Sequence, residues 1–306
     1  MEKIPVHIIS GFLGAGKTTE IIRLLGLKPS GESWAIIINE FGKISIDGQT
    51  LRSESSVETV YEISGGCICC TAQIYFRENL EKIIATSSFN RIIIEPSGLG
   101  GIDHITDMVR QDPGLQLMPV ICMADITLLE NPRLKMLPLY REQILKADLI
   151  LFSKTEMLNE RELNDKVLIF QQNFPGKKWM LKSDGELQYF NPGTDISATD
   201  ILQFANLFYA EEGKKNYCRE YSLKIPPNKR IDIQKLGELL ADEKSILRAK
   251  GYIYTGEKWI LFNYTLSGIS TEECEGRKQG ELVIIYESIK KEFQPDFESI
   301  LKESIS

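Results

Sequence analysis

Near its N-terminus the chain reads Gly11-Phe-Leu-Gly-Ala-Gly-Lys-Thr18, which fits the pattern G-x-x-x-x-G-K-[ST]. The residues on either side give this match its context. The apolar segment Val6–Ile9 comes before it and predicts a buried strand, and Thr18–Leu25 follows with isoleucines and leucines at helical spacing. A strand, a glycine-rich loop and a helix in this order predict a loop whose backbone N–H groups surround a phosphate group.

Each conspicuous position of this loop has a predicted role. Gly11, Gly14 and Gly16 let the backbone turn sharply, and the start of the following helix adds partial positive charge. Lys17 is predicted to reach the β- and γ-phosphates of a nucleotide, and the Thr18 hydroxyl is predicted to bind Mg²⁺. The alternative is a glycine-rich turn that binds no ligand.

Length and composition limit the classes of protein to which this chain can belong. The 306 residues suffice for one sizeable α/β domain and a smaller one, and the composition of 42% hydrophobic and 26% charged residues is ordinary for a soluble globular protein. The net charge of -7 argues against a nucleic-acid partner held by general electrostatics. No apolar run approaches the ~18 residues of a membrane span, and no signal-peptide layout is present. A cytoplasmic protein with reduced thiols is therefore expected.

Strands and helices alternate through about the first 200 residues, which predicts an α/β domain with a mostly parallel sheet covered on both faces. The polar run Glu211–Asn216 predicts a linker between a P-loop domain over residues 1–212 and a smaller α+β domain over residues 217–306. The other predicted strands span 34–39, 61–63, 91–95, 117–124, 149–152, 179–181, 217–225, 253–254, 259–264 and 282–286, and the other predicted helices span 72–86, 140–146, 158–174, 199–209, 233–240 and 287–301.

The strand over Arg91–Glu95 ends in a carboxylate and is followed by Pro96-Ser-Gly98. Ligands of doubly wound sheets collect at the carboxyl ends of the strands. Glu95 is therefore predicted beside the Mg²⁺–triphosphate end of a nucleotide, and the turn at Gly98 is predicted to offer a backbone N–H to the γ-phosphate. The alternative is a glutamate that only caps a helix.

Three thiols stand within four positions at Cys67, Cys69 and Cys70. The helix predicted to begin near Thr71 favours thiolates, which bind Zn²⁺ tetrahedrally, and sulfurs of one loop can share an ion. The fourth ligand is left open between Glu40, a water and a donor from a partner protein. A redox dithiol with C-x-x-C spacing and a cluster of buried small hydrophobic residues are the alternatives. The scattered Cys122, Cys218 and Cys274 are interpreted as core or surface residues.

Ser153-Lys-Thr-Glu156 follows a strand at the place where P-loop GTPases carry Asn-Lys-x-Asp. In that motif the Asp carboxylate binds guanine and the Lys stem covers the base. Lys154 is retained, Glu156 keeps the carboxylate on a longer stem, and Ser153 lacks the amide of Asn. The segment favours guanine over adenine, and the alternative is a solvated turn.

Taken together, these residues resemble the CobW-type metallochaperone GTPases, which are relatives of the GTPases that mature nickel enzymes. The resemblance covers most of the chain. It is carried by Gly11–Thr18, Asn39-Glu-Phe-Gly42 with Asp47, Gly66-Cys-Ile-Cys-Cys70, Glu95-Pro-Ser-Gly98, the position of Ser153–Glu156, and a C-terminal segment Leu247-Arg-Ala-Lys-Gly251 with Trp259.

The resemblance implies slow GTP hydrolysis coupled to binding or transfer of Zn²⁺, or of Co²⁺ or Ni²⁺, with Cys67, Cys69, Cys70 and Glu40 as metal ligands. The predicted catalytic residues are Lys17, Thr18 and Glu95, and the general base is left open among Glu40, Asp47 and Glu95. The predicted nucleotide-binding residues are Gly11, Gly14, Ala15, Gly16, Lys17, Thr18, Thr19, Gly98, Ser153, Lys154 and Glu156.

The chain departs from the family pattern at three points. Lys43 stands where many members have a second Glu, a His-rich loop is absent, and the guanine motif is degenerate. The Glu-Pro-Ser-Gly form is similar to a branch associated with corrinoid-protein systems. The predicted partner is accordingly a client metalloprotein or a corrinoid-system protein, and the predicted state is a monomer or homodimer. The rival functions are a P-loop ATPase or small-molecule kinase, and a non-enzymatic metal- or redox-sensing adaptor.

Overall fold

The computed structural model divides into two compact units, Met1–Phe208 and Tyr209–Ser306, which we describe separately. The predicted domain boundary, the helix over 199–209 and the linker over 211–216 lie outside the described residues and stay predictions. The structure describes residues 3–40, 60–64, 70–86, 89–98, 101–182, 217–226, 229–274, 279–288 and 296–305.

The first unit alternates strands and helices, as the sequence predicts. Its described strands are β1 Ile4–Gly11, β2 Trp34–Glu40, β3 Val60–Ser64, β4 Arg91–Glu95, β5 Leu115–Leu117, β6 Ile121–Asp125, β7 Leu149–Ser153 and β8 Trp179–Leu181. Its described helices are α1 Lys17–Gly26, α2 Cys70–Thr86, α3 Asp103–Gln111, α4 Pro132–Met136, α5 Pro138–Lys146 and α6 Glu160–Asn173.

These strands form one sheet in the order β3-β2-β4-β1-β6-β7-β8, with β5 pairing to the first half of β1, and every described pair is parallel. The predicted fold class is confirmed. Because parallel strands share one carboxyl edge, the last residues of five strands lie along that edge. They are Gly11, Glu40, Glu95, Asp125 and Ser153.

The central strands are apolar because both of their faces are covered. Every residue of β4, β6 and β7 is buried. Phe152 in β7 is fully buried and meets Phe170 of α6 edge-to-face, with ring centroids 4.9 Å apart. Burying a side chain of this size stabilises the fold by about 1.5–3 kcal/mol. The core therefore holds the polar strand ends at fixed positions.

The single strand predicted over 117–124 is wrong, because the chain forms two strands there, β5 and β6. Both pair with β1, and the segment between them contains Pro119. Proline has no N–H to donate to a ladder, so it interrupts a central strand.

Three helices of the first unit differ from the prediction. Helix α3 was not predicted. The short helix α4 was not predicted either, although the side chain of Asn131 caps it by accepting from two backbone N–H groups. Helix α6 begins at Glu160 and not at Leu158, because Asn159 and Glu162 form a capping box at its start.

The second unit is an antiparallel sheet of five described strands in the order β12-β11-β10-β13-β9, with two described helices. Its apolar residues from the sheet and both helices form one core cluster. Its elements are β9 Tyr217–Ile225, α7 Ile233–Asp242, β10 Ile246–Tyr254, β11 Trp259–Thr265, β12 Gly268–Cys274, β13 Gly280–Ser288 and α8 Phe297–Ser304.

Three predictions fail in the second unit. The strand predicted over 253–254 is too short, because β10 runs from Ile246 to Tyr254. Strand β12 was missed because it lies at the sheet edge and six of its seven residues are exposed, so it carries no apolar alternation. The helix predicted from Glu287 is wrong at its start, since Glu287 lies in β13, paired with Cys218. Helix α8 begins only at Phe297, where the Asp296 carboxylate accepts from the Ser299 N–H.

A buried histidine lies between the strands of the first unit. His7 in β1 is fully buried, and Arg91 in β4 donates from Nη1 to His7 Nε2 at 2.6 Å. Arg91 also stacks over the Trp34 ring at 5.4 Å. Burial, together with the Arg91 charge, lowers the pKa of His7 to about 3. His7 therefore stays neutral in the folded chain at physiological pH and acts as a hydrogen-bond acceptor.

This arrangement predicts acid sensitivity. In the unfolded chain His7 takes up a proton below about pH 6.5, whereas in the folded chain it stays neutral down to about pH 3. The free energy of unfolding is therefore not reduced by His7 above pH 6.5, and it falls as the pH is lowered from 6.5 toward 3. The cost is up to about 1.4 kcal/mol per pH unit. We expect His7→Gln, which keeps an acceptor for Arg91, to flatten the pH dependence of the unfolding free energy by about 2 kcal/mol between pH 7 and 4.5. Urea unfolding across that range measures it. Burial also lowers the pKa of half-buried His104, so His104→Gln is the comparison and is expected to flatten the curve less than His7→Gln. Parallel curves for wild type and His7→Gln would contradict the prediction.

Candidate functional site

The glycine-rich loop lies between β1 and α1, in the strand–loop–helix context that the motif requires. Gly11, Gly14 and Gly16 have φ angles of 137°, 74° and 87°, which only glycine adopts readily. The loop is closed by a bond from the Ala15 N–H to the Phe12 carbonyl at 3.2 Å. The three glycines therefore set the curvature that the sequence predicted for a phosphate-binding loop.

Lys17 is the first residue of α1 and is only 6% exposed. Its ammonium donates to the carbonyl oxygens of Gly11 and Phe12, at 3.1 and 3.3 Å. A buried ammonium needs such acceptors because desolvation is costly. The lysine charge is thus held over the loop itself, where a phosphate group is predicted.

Thr18 and Glu95 meet across the carboxyl edge of the sheet. The Thr18 hydroxyl is 3.1 Å from both carboxylate oxygens of Glu95, a residue that is 4% exposed. These residues are 77 positions apart in the chain. A hydroxyl and a carboxylate at one point supply the oxygen ligands that Mg²⁺ prefers, so this pair fits the predicted magnesium site.

The turn after Glu95 approaches the glycine-rich loop closely. A Cβ atom added to Gly98 would lie 2.8 Å from Leu13 Cδ2, 3.0 Å from the Leu13 nitrogen and 3.1 Å from Lys17 Nζ. The Gly98 carbonyl accepts from the buried Gln143 side chain of α5 at 3.0 Å. The structure therefore brings the predicted γ-phosphate turn and the phosphate loop together, and α5 supports the turn.

The predicted base-reading segment is joined to the phosphate loop. The Ser153 hydroxyl donates to the Ala15 carbonyl at 2.8 Å. Lys154 has a φ of 60°, and its ammonium pairs with the buried Asp125 carboxylate at 2.6 Å. Glu156 is exposed in a short helical turn at the same edge. Three of the predicted residues thus lie at the carboxyl edge near the loop.

Sequence reasoning missed two charged residues of this region. Asp125 ends β6, binds Lys154 and accepts from the Thr127 N–H at 2.9 Å. Glu20 in α1 is fully buried and pairs with Arg23 at 2.7 Å and with Lys182 at 3.4 Å. A carboxylate directly after an apolar strand was the available signal for Asp125, whereas the apolar pattern of α1 gave none for Glu20.

The predicted transition-metal ligands lie largely outside the described residues. Cys67 and Cys69 are not described, and Cys70 is the first residue of α2, without a described side chain. Glu40 ends β2, and its backbone pairs in register with Ser64, three positions before Cys67. Within the described residues, no group of three His, Cys, Asp or Glu side chains could hold a metal ion.

The side chains of two of the scattered cysteines are described. Cys122 lies in β6 and is 2% exposed, and burial raises the pKa of its thiol to about 12. Cys274, at the end of β12, is half-buried. Both positions agree with their interpretation as core and surface residues.

Two family models match this chain, one in each of its two units. Residues 5–181 match the model described as CobW/HypB/UreG, nucleotide-binding domain, and residues 222–301 match the cobalamin synthesis protein cobW C-terminal domain. The chain belongs to the CobW/HypB/UreG family. The predicted resemblance is confirmed. The described part of this CobW-family chain has no helix long and apolar enough to cross a membrane.

Individual relatives match part of the chain. Zinc chaperone YeiR of Escherichia coli is 35% identical over 153 residues, which are 49% of this chain and 46% of YeiR. Zinc-regulated GTPase metalloprotein activator 1 of Dictyostelium discoideum is 37% identical over 109 residues, 32% of this chain and 23% of that protein. The chain thus spans less than half of each relative. The name of the Dictyostelium protein agrees with the predicted class, a P-loop GTPase.

Among solved structures, Zn(II)-bound YjiA GTPase from E. coli is similar to this chain. The comparison covers 99% of this chain and 98% of YjiA, at 20% identity and a TM-score of 0.44.

Proposed function

We propose that this CobW-family chain is a GTP-binding and GTP-hydrolysing metallochaperone that couples its nucleotide state to the binding and transfer of Zn²⁺ or a related transition metal. The observation that carries the proposal is the convergence of Lys17, Thr18 and Glu95 at one strand edge, beside a loop shaped by three glycines. In this motif the lysine reaches the β- and γ-phosphates of a bound triphosphate, and Lys17 is buried at the loop where it can do so.

The phosphate loop supplies positioning and positive charge, which are the main requirements of phosphoryl transfer. Backbone N–H groups of Gly14, Gly16 and Thr19 are expected to bind phosphate oxygens, and the Ala15 N–H is expected to exchange the Phe12 carbonyl for a phosphate oxygen. When a triphosphate binds, Lys17 exchanges the carbonyl oxygens that it now contacts for phosphate oxygens. The turn at Gly98 lies against Leu13 and Lys17 of the phosphate loop, and at this position it is expected to sense the γ-phosphate.

Thr18 and Glu95 would hold Mg²⁺ through the oxygen atoms that now bond to each other. When bound there, Mg²⁺ supplies neutralising charge to the β- and γ-phosphates. Glu95 keeps the Thr18 hydroxyl oriented toward this position, and burial of the carboxylate limits competition from water.

The base is expected to lie against Ser153–Glu156. The Ser153 hydroxyl anchors the segment to the phosphate loop by donating to the Ala15 carbonyl. Lys154 is fixed by Asp125, so its stem is available to cover the base, and Glu156 supplies the exposed carboxylate. We propose guanine over adenine on this basis.

In this proposal the transition metal is the cargo of the chaperone, and its ligands are Cys67, Cys69, Cys70 and Glu40. Strand β2 supports a link between this cargo and the nucleotide. It pairs with β4 at Ile38 and Glu95, and with β3 at Glu40 and Ser64. One strand therefore lies between the proposed magnesium residue and the segment that leads to the cysteines. The recipient of the metal is proposed to be a client metalloprotein, with a corrinoid-system protein as one such client.

The test measures GTP hydrolysis and Zn²⁺ affinity together, each with the other ligand present and absent. We expect the two to change each other, by about 5- to 150-fold in affinity for a coupling of ~1–3 kcal/mol. ATP bound as tightly as GTP, with phosphorylation of a small acceptor, would replace the proposal with a kinase or ATPase. If the chain releases no phosphate from GTP in the presence of Mg²⁺, either with or without zinc, the proposal is replaced by a non-enzymatic adaptor.

The thiol ligands make a separate prediction. Replacing Cys69 with serine removes one thiolate from the proposed site, so Zn²⁺ affinity is expected to fall by about tenfold or more. Competition with a chromophoric zinc chelator measures the change. Cys274→Ser is the matched control, because it removes a half-buried cysteine of the second unit that is not one of the proposed ligands. Equal zinc affinity in wild type and Cys69→Ser would remove the metal-ligand assignment.

A further inference from the structure

A small apolar pocket opens on the first unit, between helices α4 and α5 on one side and α6 on the other. Its volume is about 120 Å³. Buried Phe170 and Tyr140 line its depth, and the half-buried Ile169 and Phe174 line its wall. None of these residues belongs to the nucleotide or metal sites proposed above.

The size of the pocket limits what it binds. Small-molecule and cofactor sites are usually ~300–1,000 Å³, well above this volume, whereas an apolar cavity of ~150 Å³ takes up a single benzene. One aromatic or branched aliphatic side chain is therefore the largest apolar group that fits. Protein interfaces are anchored in this way, by a few large side chains that fill pockets on the partner.

The charge at the rim limits the occupant further. The charged residues that line the pocket are Lys135 and Arg141, and no lining residue is acidic. The nearby carboxylates Glu130 and Glu142 form ion pairs with other lysines, while Lys135 is exposed and has no carboxylate within ion-pair distance among the described residues. A basic rim on a chain of net charge -7 favours an acidic occupant.

Helix α5 connects the pocket to the nucleotide site. Tyr140 lines the pocket and meets Phe12 of the phosphate loop edge-to-face, with ring centroids 5.9 Å apart. One turn further along α5, Gln143 donates to the Gly98 carbonyl. A side chain that enters the pocket therefore contacts a residue that packs on the phosphate loop.

We propose that this pocket is the docking site for an acidic segment of a protein partner, anchored by one aromatic or branched aliphatic side chain, and that docking is coupled through α5 to nucleotide binding. The docking half of the proposal stands on the pocket alone. The coupling half rests on the proposed nucleotide site, so the two halves fail separately.

The probe is a fluorescein-labelled peptide with one phenylalanine between two runs of three glutamates, followed by fluorescence anisotropy against the full chain. We expect replacing its phenylalanine with alanine to weaken binding about tenfold or more, as for a buried anchor. Ile169→Lys places a charge in the pocket wall and is expected to cause a similar loss. Leu168→Lys is the matched control, since it lies next on the same helix, is 56% exposed and does not line the pocket.

The rim charge is tested in the same assay. Lys135→Glu is expected to weaken the peptide about threefold or more and to reduce its salt dependence, while Lys244→Glu, an exposed lysine of the second unit, leaves binding unchanged. Docking is overturned if wild type does not bind the peptide, if the alanine peptide binds equally, or if Ile169→Lys has no effect. Phenylacetate that binds as tightly as the peptide would reassign the pocket to a small aromatic acid.

The coupling is read from GDP affinity with and without saturating peptide. We expect a change of about fivefold that Ile169→Lys abolishes. If the peptide binds but GDP affinity does not respond, coupling through α5 is wrong while docking remains. If the chain does not bind GDP, the proposed function fails and the peptide result still stands.

Discussion

Lys17→Ala is expected to lower kcat/KM for GTP hydrolysis by about 100- to 1,000-fold, the loss typical when one preorganised charge-stabilising donor is removed. The lysine is buried and held over the phosphate loop by the Gly11 and Phe12 carbonyls. No other described lysine or arginine contacts these carbonyls, so nothing in the described residues replaces its charge.

Steady-state phosphate release with Mg²⁺ measures this effect, together with GTP affinity by equilibrium titration. Lys235→Ala is the matched control, because it removes an exposed lysine from α7 in the second unit. Thermal unfolding of both variants separates lost catalysis from lost folding. Turnover of Lys17→Ala within threefold of wild type would show that this loop does not carry the hydrolysis.

Gly11→Ala is expected to lower the free energy of unfolding by about 3–5 kcal/mol, through two additive causes. Gly11 has a φ of 137°, which strains any residue with a side chain. An added Cβ would also lie 2.3 Å from the Met123 carbonyl oxygen in β6. Because that contact is with backbone, relief requires β1 and β6 to separate.

Gly31→Ala is the matched control for backbone strain alone. Gly31 has a φ of 97°, and an added Cβ would meet no atom within 4 Å. We expect a loss of about 1–2 kcal/mol there, and the difference between the two variants isolates the contact with β6. Urea unfolding at pH 7 measures both, and equal losses would mean that the strands adjust freely around the loop.

The parts of the site predictable from sequence are those fixed by near neighbours. The curvature at Gly11, Gly14 and Gly16, and the placement of Lys17 and Thr18 at a helix start, depend on residues a few positions away. The fold class could be predicted in the same way, since apolar runs such as Ile92–Ile94, with helices between them, predict buried parallel strands.

Contacts between distant parts of the chain could not be predicted. The Gln143 bond to Gly98 joins residues 45 positions apart, and the Ser153 bond to Ala15 joins residues 138 positions apart. Their partners depend on strand order, which periodicity does not determine. The sequence predicted Glu95 at the end of a strand. Its bond to Thr18, 77 positions away, could not be predicted because it depends on β4 lying beside β1.

The buried thiol of Cys122 has a practical consequence for labelling chemistry. Burial raises the pKa of this thiol to about 12, so very little thiolate is present at pH 7, and the sulfur lies inside the sheet. Maleimides and iodoacetamide are therefore expected to leave Cys122 unmodified as long as the chain stays folded. Labelling of Cys122, measured by mass spectrometry, therefore reports how often the sheet opens.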